Sequence, residues 1–145
     1  MKAVIQIVDK AVLTVDDKEI SKIDKGLVVY LGIKAEDTQE KAKILAEKIA
    51  NLRIFKDENG KLNLSLIDIK GQILAVSNFT LYADATRGKR PNYAGAMAFE
   101  EAEEMYKFFL TELQKHIEVV KGGVFGGHMV VSQVNRGPVN IVLEY

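Results

Sequence analysis

The chain has 145 residues, 48% of them apolar, and its 20 lysines and arginines balance 20 aspartates and glutamates. This composition is typical of a globular protein, and the length predicts one domain over residues 1–145. A formal net charge of zero argues against a protein that coats nucleic acid through a broad basic face, so any nucleic-acid contact must be local. The sequence contains no cysteine, which excludes disulfides, thiolate catalysis and zinc sites with sulfur ligands.

The amino-terminal segment, residues 1–7, carries an apolar run that is too short for a signal peptide and is better explained as a first strand. No other run approaches the length needed to span a membrane. We therefore expect a cytoplasmic protein that does not associate with membranes.

The first third of the chain predicts β-strands. Residues 12–15 and 19–20 are rich in valine and isoleucine and flank the turn residues 16–18, which predicts a hairpin. Residues 26–32 are continuously apolar and short. That pattern is typical of a strand covered on both faces.

A helix and further strands follow. Thr38 or Asp37 can cap an amphipathic helix whose apolar residues have three-four spacing: Ala42, Leu45, Ala46 and Ile49. Asn59-Gly60 lies between two short apolar segments and predicts a second hairpin. Residues 72–81 predict another buried strand.

The second half of the chain predicts a basic loop at residues 82–96, then a long helix. One face of this helix is apolar: Phe99, Ala102, Tyr106, Phe109, Leu110, Leu113 and Ile117. A glycine-rich loop at 122–127 precedes a strand at 128–134, a turn at 135–138 and a last strand at 139–145. Runs of strands with two long helices favour α+β layering over a doubly wound sheet.

The polar segment Ser77-Asn78-Phe79-Thr80 is a candidate site because it places three hydrogen-bonding side chains beside an aromatic ring, where a strand meets the basic loop. Serine and threonine in strands are more often β-formers or turn caps. Thr80 is a candidate nucleophile, but no histidine or lysine is evidently placed to deprotonate it.

Other motifs taken singly favour structural roles. His116 and His128 are too few for a metal centre. The glycines at 122–127 lack the G-x-G-x-x-G order and precede a strand, which disfavours a dinucleotide site. Cations in a loop are more often solvated than bound to phosphate, although arginine can clamp a phosphate. The loop cations are Arg87, Lys89 and Arg90.

Taken together, two motifs carry a resemblance. S-N-F-T-L at residues 77–81 and G-P-V-N at residues 137–140 resemble the two signature motifs of the D-aminoacyl-tRNA deacylase family. Arg90-Pro91 and Phe125-Gly126 also fit, and residues 1–6 resemble the family's first strand, so the likeness spans the chain. Four positions differ from the usual pattern of Gln, Ser, Asp and Thr: Asn78, Asn92, Arg136 and Asn140.

The resemblance implies an α+β fold, a β-rich, barrel-like, three-layer domain of mixed and antiparallel sheets with two main helices. It implies a homodimer with active sites at the subunit interface and no cofactor or metal. The implied reaction hydrolyses the ester bond of D-aminoacyl-tRNA, releasing a free D-amino acid and tRNA in a chiral proofreading step of translation. Glycyl-tRNA mischarged on tRNA(Ala) is a further candidate substrate.

The resemblance also assigns roles. A cis Gly-Pro peptide of one subunit would reach the other subunit's pocket and reject L-amino acids, and the substrate-binding segment is Gly137, Pro138, Val139 and Asn140. The implied catalytic segment is Ser77, Asn78, Phe79 and Thr80. The adenosine and tRNA would contact Phe125, Gly126, Met129, Arg87, Lys89 and Arg90. The terminal 2′-hydroxyl of the tRNA, rather than Thr80, would assist catalysis.

Two alternatives remain open at the level of sequence. In the first, Thr80 is a covalent nucleophile that acts on a small ester without RNA. In the second, the protein is a dimeric β-rich binding module without catalysis, which uses its glycine-rich loops and residues 87–90 to hold a ligand or a protein.

Overall fold

The computed structural model describes residues 1–145 as eight β-strands, two α-helices and one 3-10 turn. The strands are β1 (Lys2–Val15), β2 (Lys18–Ile23), β3 (Gly26–Gly32), β4 (Phe55–Lys56), β5 (Leu62–Leu64), β6 (Gln72–Ser77), β7 (Val120–Gly122) and β8 (Met129–Glu144). The helices are α1 (Gln39–Asn51) and α2 (Phe99–Gln114), and the 3-10 turn is Phe79–Tyr82. Neither helix is long and apolar enough to cross a membrane.

The main sheet is built on β1, which is paired on both of its edges. β8 runs antiparallel along one edge, and β2 and then β3 run antiparallel along the other. β6 and β7 continue the sheet beyond β3 as parallel neighbours. The strand order is β2-β1-β3-β6-β7, with β8 also beside β1. The Ser21 hydroxyl of β2 donates a hydrogen bond of 2.6 Å to the Gly122 carbonyl of β7, so the first and last strands of this order lie side by side. The barrel-like mixed sheet with two helices is therefore confirmed.

Both faces of the sheet are covered, because successive residues of β3 and β6 enter different hydrophobic clusters. Leu27 and Ile73 pack into a core of 22 buried residues that the sheet shares with α1 and α2. Val28 and Leu74 point the other way, into a second cluster of 7 buried residues inside the curled sheet. This double burial explains why residues 26–32 are continuously apolar.

Several predicted local features are confirmed. A two-residue turn joins β1 to β2, and Asp16 and Asp17 have positive φ angles of 49° and 59°, as a tight hairpin turn requires. The Thr38 side chain caps α1 by accepting a hydrogen bond from the Lys41 N–H. β4 and β5 form the hairpin predicted around Asn59-Gly60.

The predicted strand at residues 72–81 is wrong in its length. β6 ends at Ser77, and the next residues turn into the 3-10 helix. The cause is local, since the Asn78 carboxamide oxygen accepts hydrogen bonds from the Thr80 N–H and the Thr80 hydroxyl. This side-chain cap satisfies the backbone at the point where the sheet ladder stops.

The predicted division of residues 128–145 into two strands separated by a turn is also corrected. β8 is one strand of 16 residues that stays beside β1 at both ends. Its middle leaves the ladder, because Gln6 pairs with Asn140 while Val8 pairs with Asn135. Residues 136–139 are the extra residues, and they form a four-residue bulge opposite Ile7 rather than a chain reversal.

Candidate functional site

A cavity of about 770 Å³ opens where the carboxyl end of β6, the segment before α2 and the start of β8 meet. Its lining is mostly apolar. A cavity of this size with few polar groups is the usual form of a small-molecule or cofactor site. It is therefore the candidate functional site of this chain.

The cavity brings together two predicted segments that are distant in sequence. Ser77 lines it from the end of β6, Asn78 and Phe79 line it from the start of the 3-10 turn, and Phe125-Gly126 and Met129 line it from the glycine-rich loop and β8. Thr80 does not line the cavity. It is exposed, and its hydroxyl bonds to Asn78 Oδ1 rather than to a basic side chain.

Asn78 has a defined orientation at the cavity wall. Its backbone N–H donates a 2.7 Å hydrogen bond to the Leu31 carbonyl, which fixes the end of β6 against β3. Its Oδ1 atom is occupied by the two bonds from Thr80. The carboxamide nitrogen is thus the donor that this side chain has left for a ligand.

Two aromatic pairs stand at the sides of the cavity. Phe79 packs edge-on against Tyr93 with ring centroids 5.2 Å apart, and Phe99 packs edge-on against Phe125 at 5.1 Å. Phe79 is 57% exposed and Phe99 is 61% exposed, although both contact another ring. Exposed rings beside a concave site offer stacking faces to a base or a ribose.

The glycine-rich wall is fixed by Tyr106 of α2. The Tyr106 hydroxyl donates a 2.8 Å hydrogen bond to the Ala75 carbonyl in β6 and accepts one of 3.1 Å from the Gly123 N–H. Burial raises the pKa of the Tyr106 hydroxyl, so it stays protonated and able to donate. One buried hydroxyl therefore holds the two walls of the cavity at a set distance.

The position of Phe99 differs from the one predicted from the sequence. Helical spacing placed it on the core face, but it is the first residue of α2 and covers the glycine-rich loop beside the cavity. Spacing alone cannot decide this at a helix end, because the first turn has no neighbour on its amino-terminal side to bury it against.

Other cavity residues were not selected from the sequence. Tyr30, Tyr93, Met97 and His128 all line it. Tyr30 carried a signal in the sequence, since it is the one residue of β3 with a polar tip. In the structure it is half-buried among fully buried neighbours. His128 was expected to be structural or exposed, and it is exposed at the cavity edge.

The two ends of the basic loop are joined by backbone hydrogen bonds. The backbones of Asp84 and Asn92 exchange hydrogen bonds of 2.8 and 2.9 Å, and the Asn92 side chain accepts a further bond from the Ala94 N–H. The exposed cations lie between these two residues: Arg87, Lys89 and Arg90. None of them lines the cavity, but Tyr93, directly after the loop, does.

The second signature segment lies elsewhere on the chain. Gly137, Pro138, Val139 and Asn140 do not line the cavity of their own subunit. The Gly137-Pro138 peptide is cis, as expected. Both residues are exposed, and a Cβ atom added at Gly137 would meet nothing within 4 Å.

The arrangement of these motifs agrees with comparisons of the whole chain. A family model described as D-Tyr-tRNA(Tyr) deacylase matches residues 4–144. The chain belongs to this family. Relatives named D-aminoacyl-tRNA deacylase include one from Caldicellulosiruptor bescii, 46% identical over 144 residues (99% of this chain and 97% of the relative). Another, from Dictyoglomus turgidum, is 50% identical over 144 residues (99% and 92%).

Solved structures show the deacylase-family fold as well. A structure titled "c-Myc DNA Unwinding Element Binding Protein" superposes with a TM-score of 0.94 at 44% identity and covers 100% of this chain and 99% of its own. A probable eukaryotic D-amino acid tRNA deacylase superposes with a TM-score of 0.85 over 98% of this chain and 97% of its own. At 16% identity, the second comparison concerns the fold alone.

Gly126 is a position in this deacylase-family site where both the backbone conformation and the space disfavour a side chain. Its φ angle is +72°, and an added Cβ atom would lie 2.7 Å from the Phe99 ring. We expect Gly126→Ala to lower the free energy of unfolding by about 1–2 kcal/mol through backbone strain alone, with a further cost from the ring contact. Urea denaturation would measure the loss.

The two costs can be separated by making Gly126→Ala in a Phe99→Ala background, where only the backbone strain remains. Gly95→Ala is the matched control, because its Cβ atom would have only the Tyr82 carbonyl, at 3.8 Å, nearby. Equal unfolding free energies for wild type and Gly126→Ala would contradict the geometry described for this loop.

Proposed function

We propose that this protein hydrolyses the ester bond of D-aminoacyl-tRNA and releases a free D-amino acid and tRNA, a proofreading step of translation. The observation that carries the proposal is the cavity in which Ser77-Asn78-Phe79 faces Phe125-Gly126, within a chain of the deacylase family. The relatives that bear the deacylase name match this chain over 99% of its length.

The chemistry proposed for this site relies on the substrate. The Thr80 hydroxyl has Asn78 as its hydrogen-bond partner and no base beside it. An aminoacyl ester is already activated, and the neighbouring 2′-hydroxyl of the terminal adenosine can orient the attacking water. The carboxamide nitrogen of Asn78 and nearby backbone N–H groups would stabilise the oxyanion that forms on the carbonyl oxygen. The ribose 3′-oxygen then leaves with a proton.

The terminal adenosine would enter the cavity, because its lining offers the stacking faces and close backbone approach that a nucleoside requires. Phe79, Phe125, Met129 and the Gly126 backbone would contact it. The loop cations Arg87, Lys89 and Arg90 would meet the phosphates next to it. Since the formal net charge is zero, we propose that only a few phosphates are contacted.

We further propose a homodimer, and β8 supports it. This strand of 16 residues is paired only with β1, which leaves its outer edge free. Val130, Val134 and Val142 on β8 are 63%, 45% and 62% exposed. A long free edge with exposed valines is a typical pairing surface, and a second copy of this chain would cover it.

Dimerisation would also complete the site. Asn135, before the bulge, lies six residue steps of regular strand beyond Met129, at the cavity, which corresponds to roughly 20 Å. Gly137-Pro138 therefore cannot turn back into its own cavity, but it could reach the partner's. There its backbone would reject the side chain of an L-amino acid and admit a D-amino acid. Glycine lacks a side chain to be rejected, which makes glycyl-tRNA a further candidate substrate.

The direct test compares D- and L-forms of one amino acid esterified to the same tRNA. We expect the wild-type protein to accelerate loss of the D-ester well above the buffer control and to leave the L-ester at the control rate. A D-ester substrate whose terminal adenosine lacks the 2′-hydroxyl should turn over much more slowly. Equal rates on the D- and L-esters would overturn chiral proofreading, and activity only on small esters would favour the Thr80 esterase.

A second prediction concerns Thr80. Because its hydroxyl contributes one hydrogen bond to Asn78 rather than a nucleophile, we expect Thr80→Ala to slow D-ester hydrolysis by about tenfold at most. Loss of a nucleophile removes several orders of magnitude from kcat. Single-turnover kinetics measures the difference, and isolation of an acyl group on Thr80 would refute this assignment.

A third prediction concerns Gly137. An alanine methyl there would point into open space in the single subunit, so Gly137→Ala should unfold at the wild-type temperature. We expect D-ester hydrolysis to fall about tenfold or more, because the methyl would occupy the partner's cavity. Gly95→Ala provides the same substitution away from this segment. Wild-type rates and selectivity in a folded, dimeric Gly137→Ala would show that Gly137 does not contact the substrate.

A further inference from the structure

The bulge that carries Gly137-Pro138 is matched by a second irregularity directly opposite. Residues 136–139 face only Ile7, because the flanking pairs are Gln6 with Asn140 and Val8 with Asn135. At the next step Val8 pairs with Asn135 and Lys10 with Val134, which leaves Asp9 as an extra residue of β1. Both strands therefore depart from the ladder at the same place.

The two irregularities are joined by an ion pair. The Nε and Nη2 atoms of Arg136 donate hydrogen bonds of 2.8 and 2.7 Å to the two carboxylate oxygens of Asp9. A bidentate pair of this kind restricts both the distance and the relative orientation of its side chains. It fastens the residue that immediately precedes Gly137.

The other side of the bulge is fastened by amides. The Gln6 side chain donates a 2.8 Å hydrogen bond to Asn140 Oδ1, and the Asn140 Nδ2 atom donates one of 3.3 Å to the Pro138 carbonyl. Gln6 Oε1 in turn accepts a 2.7 Å bond from Gln133, which also accepts a bond from the Tyr30 hydroxyl at the cavity wall. The Pro138 carbonyl is thus held from β1 and indirectly from the cavity of the same subunit.

We propose that Asp9 and Arg136, with Gln6 and Asn140 on the other side, are positioning residues that hold the Gly137-Pro138 backbone in the direction needed to distinguish D- from L-aminoacyl esters. This inference rests on the proposed function. Arg136 and Asn140 lie on either side of Gly137-Pro138, and each has a partner on β1.

The exposure of the ion pair indicates that it orients the bulge rather than stabilises the fold. The Arg136 and Asp9 side chains are 66% and 37% exposed, and ion pairs this open to solvent contribute little to folding. The Arg136 guanidinium lowers the pKa of the Asp9 carboxyl, so the pair is fully ionised at neutral pH. The main effect of the bidentate Arg136–Asp9 pair is therefore to restrict the geometry of the bulge beside it.

The test uses Asp9→Asn, Arg136→Gln and the exchanged double variant Asp9→Arg with Arg136→Asp. For each, kcat and KM are measured on D- and L-aminoacyl-tRNA of the same amino acid, together with the dimer mass and the melting temperature. The two single variants change the net charge in opposite directions, so an effect that they share cannot come from altered attraction to RNA. Lys107→Gln is the matched control, since it breaks a 2.7 Å ion pair of 67% and 36% exposure on α2.

We expect both single variants to lower the ratio of D- to L-ester kcat/KM by about tenfold or more, with the change in kcat rather than KM. Melting temperatures should stay within about 2 °C of wild type. The exchanged variant should recover most of the ratio, and Lys107→Gln should keep it.

Unchanged ratios in both single variants, or an exchanged variant as poor as either, would overturn the positioning role. A wild-type protein that does not discriminate D- from L-esters would instead overturn the proposed function. If Gly137→Ala alters the ratio while Asp9→Asn and Arg136→Gln do not, the proposed function stands and the positioning role fails.

Discussion

The pairing of β1 on both of its edges is the constraint on which the rest of the structure depends. This strand of 14 residues carries β3 and β2 on one side and β8 on the other. Through β3 it sets the position of β6, whose carboxyl end holds Ser77 and Asn78. Through β8 it sets the bulge at residues 136–139. One strand therefore determines where both signature segments lie.

That arrangement separates the two segments within a single chain. The cavity lies at the start of β8, whereas Gly137-Pro138 projects from the middle of the same strand. β8 stays beside β1 on both sides of the bulge, so the two parts do not meet within one subunit, and the proposed homodimer would bring them together. The exposed valines and the free edge of β8 are consistent with such an assembly, because both would otherwise remain open to solvent.

The character of the cavity also fits a site that positions a reactive substrate rather than one that activates an inert one. Its walls are aromatic rings, glycine backbone and the Asn78 carboxamide. Tyr106 fixes the separation of these walls by bonding to Ala75 and Gly123. Rigid walls would serve the proposed function, because selection between enantiomers requires a site that does not yield to the wrong one.

The sequence by itself determined the elements that depend on neighbouring residues. The β1–β2 turn follows from Asp16-Asp17, α1 from the Thr38 cap and its apolar spacing, and the double burial of β3 from its continuous apolar run. Six of the 19 cavity residues were also found through the resemblance to a family: residues 77–79, Phe125, Gly126 and Met129.

Only the tertiary structure decided the rest. In the structure β6 ends at Ser77, Phe99 lies at the cavity rather than in the core, and residues 136–139 form a bulge of one continuous strand. It also paired Arg136 with Asp9, 127 residues apart in sequence. Local sequence patterns carry no information on contacts of this kind. Such contacts arise when distant strands are brought into register, and the packing of the whole sheet sets that register.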